Sequence, residues 1–147
     1  MRAVVTRVSR AAVEIGGEQF SSIGKGLLVL LGVHESDTHV QAEKIADRIC
    51  KMRIFEDETG KMNLAPDKAG AQLLIVSQFT LYADCKQRRP GFSAAARPEK
   101  ADGLYEHCIA KCRELGFTVA AGRFGADMKV SSVNDGPVTI ILDTDAL

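Results

Sequence analysis

Two short strings far apart in this sequence join apolar, strand-like runs to devices for holding a small polar ligand. They are Ser77-Gln78-Phe79-Thr80-Leu81-Tyr82 and Asn134-Asp135-Gly136-Pro137-Val138-Thr139. The first follows the apolar run Leu73-Leu74-Ile75-Val76, so a buried strand delivers the polar side chains Ser77, Gln78 and Thr80 at its end. Polar groups placed there need partners. One reading is that they bond to neighbouring backbone. The other is a ligand-facing strand end whose main-chain N–H groups donate to a carbonyl oxygen that turns negative under attack. Such a donor is worth about 2.7–4 kcal/mol in acyl transfer. The Thr80 hydroxyl as nucleophile is a further reading, but a hydroxyl needs an adjacent base, and no histidine, lysine or carboxylate stands beside it in the sequence.

The second string reads as a hairpin turn between two strands, a common use of Asn, Asp, Gly and Pro. It also admits a chemical reading. Pro137 removes one backbone donor, and an X–Pro bond adopts cis at a cost of about 0.5–1 kcal/mol. A cis Gly136-Pro137 unit aims two carbonyl oxygens in a similar direction. That is a rigid acceptor pair for an ammonium group, made without side chains. It would sort ligands by handedness and tolerate any side chain.

Lys86, Arg88 and Arg89 follow the first string and end at Pro90-Gly91. They read either as a solvated loop or as phosphate contacts for a nucleic-acid end. Cys108 and Cys112 share one helix face with His107 nearby, but that face is also the apolar stripe, which points to core packing and to no metal site. His34 and His39 flank a helix start without a catalytic partner in view. Nucleotide-binding glycine loops and calcium loops are missing.

These residues must be positioned by one modest domain, expected to span 1–147. The chain has 147 residues, 46% hydrophobic and 26% charged, with 19 basic and 19 acidic residues. That balance is globular, and a protein that mainly grips nucleic acid is usually more basic. A catalyst touching only one end of an RNA need not be. Charge interrupts the first seven residues, so no signal peptide is expected, and no apolar run approaches the roughly 20 residues of a membrane helix. Four cysteines suggest reduced thiols and a cytoplasmic location.

Ala3 to Ile15 reads as a strand, Gly16-Gly17 as a hairpin turn, and Leu27 to Leu31 as a central strand. Thr38 and Gln41 have capping-box spacing ahead of a helix whose inner stripe is Ala42, Ile45, Ala46, Ile49 and Met52 or Arg53. Pro98 opens a second helix with stripe Ala101, Leu104, Tyr105, Cys108, Ile109, Cys112 and Leu115, stopped by Gly116. Val119, Met128 to Val133 and Val138 to Leu142 read as closing strands. Strands outnumber helices and most connections look too short for parallel crossovers. The expected class is α+β, with a mainly antiparallel sheet or partial β-barrel and helices packed outside.

The whole chain resembles the D-aminoacyl-tRNA deacylases. The likeness runs through Arg7, Arg53-Ile54-Phe55-Glu56-Asp57 with Gly60-Lys61-Met62-Asn63-Leu64, both signature strings in order, Arg89-Pro90, and Phe124-Gly125-Ala126-Asp127-Met128. Gly91 departs from the serine that many members carry. The resemblance implies hydrolysis of the ester joining a D-amino acid, or mischarged glycine, to tRNA. It implies a homodimer with active sites at the subunit interface and no cofactor. Gly136-Pro137 would be cis and reach into the partner's pocket to exclude L-amino acids, with Arg7 supporting its geometry. Ser77, Gln78, Phe79 and Thr80 would line the same pocket, with the Phe79 N–H toward the ester and the tRNA 2′-hydroxyl helping to activate water. Phe124 and Met128 would lie near the terminal adenosine. Two other readings stand beside this one: a binding module without turnover, and an acyl hydrolase with Thr80 or a cysteine as nucleophile.

Overall fold

The alternation of apolar residues along the strands divides the molecule into two cores. In the computed structural model, which describes all 147 residues, Leu27, Val29 and Leu31 of strand β3 (Gly26–Gly32) join one cluster, and their neighbour Leu28 joins another. Strand β6 (Gln72–Ser77) splits the same way, Leu73 and Ile75 against Leu74 and Val76. This is the period of two expected of a sheet covered on both faces.

The remaining elements are β1 (Arg2–Ile15), β2 (Glu18–Ile23), α1 (His39–Lys51), β4 (Phe55–Glu56), β5 (Met62–Leu64), α2 (Pro98–Glu114), β7 (Val119–Ala121) and β8 (Lys129–Asp143), with short 3₁₀ turns at Phe79–Tyr82 and Thr144–Ala146. β1 is the long central strand. One edge pairs antiparallel with β8 over most of its length; the other pairs with β3 and then with β2. β3, β6 and β7 continue the sheet in parallel. β2 curls back to β7, where Ser21 Oγ donates to the Ala121 carbonyl at 2.7 Å. The sheet is therefore nearly closed, and Val8, Ala11, Val13, Ile23, Leu28, Leu74 and Val76 pack within the curl. The larger cluster lies between the sheet and the two helices.

This is a single-domain α+β fold with a nearly closed sheet and helices outside, as expected. The pairings of β1 and β4 are antiparallel. The joins from β3 to β6 and from β6 to β7 are parallel, because α1 and α2 supply the long crossovers that a parallel join requires.

Helix α1 begins with the capping box, Val40 N–H donating to Thr38 Oγ1 at 3.2 Å and Thr38 N–H to Gln41 Oε1 at 2.8 Å. Cys50 joins its buried stripe and Met52 caps its end while packing on the core. Arg53 turns outward instead and bonds Asn63 of the β4–β5 hairpin. In α2 the expected stripe is buried as far as Cys112, but Leu115 is exposed because it already caps the helix, and Gly116 follows at φ +97°. The two expected closing strands are one: β8 runs through Gly136-Pro137 without a hairpin.

Gly26 faces Gln72 across the parallel β3–β6 pair, and a Cβ added there would lie 1.9 Å from the Gln72 carbonyl oxygen. Gly26→Ala therefore has no side-chain movement that relieves it. It is expected to cost at least the about 1–3 kcal/mol typical of overpacking, measured as a lowered urea midpoint with unchanged slope.

Candidate active site

β6 hands its chain to a tight turn at the level where β3 also ends. Gln78 N–H still donates to the Leu31 carbonyl at 2.8 Å, as though the strand continued. The chain then bends into the Phe79–Tyr82 turn, closed by Leu81 N–H to Gln78 C=O at 3.2 Å and Ala83 N–H to Thr80 C=O at 3.1 Å. The strand expected over Leu73 to Val76 thus ends at Ser77, and the rest of the first signature forms the turn. The N–H groups of Phe79 and Thr80 open the turn and meet no acceptor in the chain, as is usual for the first donors of a helical turn.

Phe79 borders a cleft of about 630 Å³, and Thr80 follows it just outside the lining. Val76, Ser77, Gln78 and Phe79 form one wall, the Phe92–Ala96 segment and the start of α2 another, and Phe124 to Met128 with Val130 the third. Phe79 and Phe92 stand at the mouth, edge to face with centroids 5.1 Å apart, and both are exposed. Phe124 rests on Tyr105, whose buried hydroxyl donates to the Ile75 carbonyl at 2.7 Å. Met128 fits because residue 122 is glycine: a Cβ there would lie 2.6 Å from the Met128 sulfur. The cleft thus gathers Ser77, Gln78, Phe79, Phe124 and Met128.

Thr80 is exposed on the turn and outside the cleft lining. The Gln78 amide donates to its hydroxyl, and no basic side chain bonds to it. Cys50, Cys108 and Cys112 are buried in the helix–sheet core, and only Cys85 is exposed. The neighbouring Cys112 thiol and then burial push the Cys50 thiol up, away from the thiolate a nucleophile needs. Lys86, Arg88 and Arg89 are exposed on a loop pinched by Asp84 N–H to Gly91 C=O at 2.7 Å and its reciprocal bond at 2.9 Å. That loop leads directly to Phe92 at the cleft mouth.

Gly136 and Pro137 lie elsewhere. Thr6 pairs with Thr139 and Val8 with Asn134, so Arg7 alone faces an excursion of Asp135, Gly136, Pro137 and Val138. The Gly136–Pro137 bond is cis, and both residues are exposed. Arg7 is only 4% exposed. Its Nε donates to the Asp135 carbonyl at 3.1 Å and its Nη1 to the Ile54 carbonyl at 2.7 Å. The Asp135 carboxylate stands 3.7 Å from Nε. The guanidinium thus underpins the excursion from within. A Cβ on Gly136, whose φ is +124°, would meet Arg7 Nη2 and Val138 Cγ2 at 2.9 Å.

Sequence reasoning missed Phe92, Ala95, Ala96 and Gly122. Phe92, an aromatic residue in a polar loop, was the legible signal. The others line the cleft or shape it by being small, which nothing in their spacing announces.

A small α+β domain with main-chain donors at the end of a central strand, bordering an apolar cleft, is of a class suited to binding and cleaving a polar acyl group. The family described as D-Tyr-tRNA(Tyr) deacylase matches residues 4–143. The D-aminoacyl-tRNA deacylase of Symbiobacterium thermophilum is 51% identical over 99% of this chain and 97% of its own length. That of Clostridioides difficile is 53% identical over 98% and 97%. Among solved structures, the c-Myc DNA Unwinding Element Binding Protein superposes with a TM-score of 0.93 at 42% identity, covering 97% of this chain and 98% of that one. A probable eukaryotic D-amino acid tRNA deacylase shares the fold with a TM-score of 0.84 at 15% identity. The chain belongs to the D-aminoacyl-tRNA deacylase family, a family of hydrolases.

Both Gly136→Ala and Arg7→Ala should disturb the same excursion. The former forces a side chain into a positive-φ position, costing about 1–3 kcal/mol. The latter leaves the Ile54 and Asp135 carbonyls without their donor. Because the two residues touch, the double variant should lose less than the sum of the singles. Urea unfolding of all three variants measures the difference, and strict additivity would contradict the contact.

Proposed function

We propose that the chain hydrolyses the ester between a D-amino acid, or glycine, and the terminal ribose of tRNA, releasing the free amino acid and the tRNA. Family membership across residues 4–143 carries this reading. The unpartnered N–H of Phe79 at the cleft, with that of Thr80 next along the turn, suits it chemically. As water adds to the ester carbonyl, its oxygen becomes negative and the Phe79 N–H, with that of Thr80 beside it, donates to it. Ser77 and Gln78 line the approach. The ester C–O bond then breaks and the ribose oxygen leaves with a proton. Asp127 is the one carboxylate in the cleft lining; it stands on a different wall from the Phe79 turn, and the adjacent ribose 2′-hydroxyl takes the part of activating water. The terminal adenosine packs toward Phe124 and Met128, and Lys86, Arg88 and Arg89 meet the phosphates behind it. No cofactor is required.

The chiral filter is the main chain of Gly136 and Pro137 from a second copy. Gly136 lies six residues beyond Val130 of the cleft wall, about 20 Å along β8 at 3.3 Å per residue, so the excursion does not close its own cleft. A homodimer brings it to the partner's. Val130, Val133 and Ile141 are 39%, 42% and 71% exposed along β8, apolar surface that such a dimer would cover. The carbonyls of Gly136 and Pro137 accept from the substrate ammonium, and the rigid backbone leaves no room for a side chain of L configuration. No helix is long and apolar enough to cross a membrane; the cytoplasm, where charged tRNA is found, is the proposed location.

A panel of D-tyrosyl-, D-aspartyl-, glycyl-, L-tyrosyl- and L-alanyl-tRNA at equal enzyme concentration tests the filter. The D-substrates and glycyl-tRNA should be cleaved whatever the side chain, and the L-substrates spared. Cleavage of L-alanyl-tRNA at the glycyl rate would refute a backbone filter.

Thr80→Ala and each Cys→Ala variant should keep activity within about tenfold, since loss of a true nucleophile costs about 10⁴-fold or more. A collapse of that size for folded Thr80→Ala in single-turnover deacylation would restore the hydroxyl as nucleophile.

A further inference from the structure

The far end of the β1–β8 ladder pairs Arg2 with Asp143. Arg2 Nε donates to Asp143 Oδ2 at 3.0 Å, and Nη2 lies 2.9 Å from the same oxygen. The remaining branch, Nη1, donates to the main-chain carbonyl of Leu81 at 2.8 Å. The guanidinium also covers the Tyr82 ring, its carbon 4.7 Å from the centroid. Leu81 and Tyr82 are the second half of the turn whose first half offers the Phe79 and Thr80 N–H groups. On the β3 side the turn sits on Gly32, where a Cβ would lie 3.1 Å from both the Gln78 carbonyl oxygen and Leu81 Cβ. The turn is therefore gripped between a glycine that lets it close down on β3 and an arginine tethered to β8.

We infer that Arg2 is a positioning residue for deacylation: anchored by Asp143, it clamps the Phe79–Tyr82 turn through the Leu81 carbonyl and the Tyr82 ring, and so fixes the Phe79 and Thr80 N–H groups against the ester. This rests on the reading that those N–H groups stabilise the transition state. Arg2 touches no part of the cleft lining, so it acts only through the turn. A planar fork suits the task, since it holds the carboxylate, the carbonyl and the ring at once, whereas a lysine ammonium is a single point. Burial alone would raise the Asp143 carboxyl, but the Asp145 N–H and the Arg2 guanidinium outweigh it and hold the group below the usual carboxylate range. The anchor is thus ionised at neutral pH.

The test compares Arg2→Met, Arg2→Lys and Asp143→Asn with the parent. Steady-state deacylation of D-tyrosyl-tRNA gives kcat and KM, and backbone amide NMR shifts report on Phe79 to Tyr82, with Val138 and Thr139 as controls. Arg2→Met should lower kcat by on the order of tenfold to a hundredfold, as expected for reacting groups misplaced by about 1 Å. KM should stay within about twofold, because transition-state stabilisation is lost without uniform binding. Amide shifts should be confined to the turn. Arg2→Lys should recover only part of kcat, and Asp143→Asn, which keeps the side-chain shape, should move kcat and the turn amides in the same direction as Arg2→Met. Unmoved turn amides in both Arg2→Met and Asp143→Asn would overturn the clamp. A fall in activity that tracks only the unfolded fraction, with kcat per folded enzyme unchanged and amides unmoved, would overturn it too. Turn amides that shift while kcat holds would keep the clamp and overturn the role of the Phe79 and Thr80 N–H groups in the reaction.

Discussion

The structure depends on a buried cation held more closely by main-chain carbonyls than by its one carboxylate, the exposed Asp135 side chain 3.7 Å away. Arg7 sits inside the fold, and its nearest acceptors are the main-chain carbonyls of Asp135 and Ile54. A desolvated charge needs such partners, and here it takes them from two segments distant in sequence. One is the β8 excursion; the other is the link from α1 into the β4–β5 hairpin. That hairpin is itself organised by Asp57, which accepts from the Thr59 and Lys61 N–H groups and from Asn63. The Thr59 hydroxyl heads the contacts that hold the Asp57 carboxyl below its ordinary range. The guanidinium therefore joins three otherwise separate parts of the chain. Just past Arg7, β1 changes the parity of the residues it buries within the curl: Ala3 and Val5 pack toward the helices and Val8 within the curl, by simple alternation, but Ala11 and Val13 then join Val8. The β1–β8 pairing shifts on both sides of Val8: the shift before it faces the excursion over Arg7, and the shift after it accompanies the change of parity.

The same economy of side chains marks the cleft. Ser77, Gln78 and Asp127 are its only polar side chains, and the rest of its lining is aromatic, aliphatic, proline, glycine and methionine surface. Glycine decides several of the close approaches: Gly32 under the turn, Gly122 under Met128, Gly136 over Arg7. On the proposed mechanism such a site would resist dissection by alanine scanning, because its donors are main-chain groups present in every residue. It would be more sensitive to changes that move backbone than to changes that delete functional groups.

Much of the fold was legible. The capping box at Thr38, Pro98 at the start of α2 and Gly116 past its end each mark a boundary by local physics, and all three were realised. The parallel joins were not legible, since nothing local says that a helix returns the chain beside the strand it left. The single strand β8 was hidden because Asn, Asp, Gly and Pro together signal a turn. Here they make a turn within a strand, and the buried arginine that stabilises it is remote in sequence. At the site, the two signature strings were visible as residues. Their separation within one chain followed from the family resemblance and not from their spacing, and the contacts of Gly32 and Arg2 with the turn were not visible at all.

Arg2 and Arg7 lie five residues apart on β1 and project to opposite faces, as odd spacing on a strand requires. One holds the turn of its own cleft; the other holds the excursion that, in the proposed dimer, serves its neighbour's. In that dimer a single strand would work for two different active sites at once. Two chains, one impaired at Arg2 and the other at Arg7, would then be genetically complementary. In their mixed dimer one cleft collects both defects, and the other is assembled wholly from sound parts.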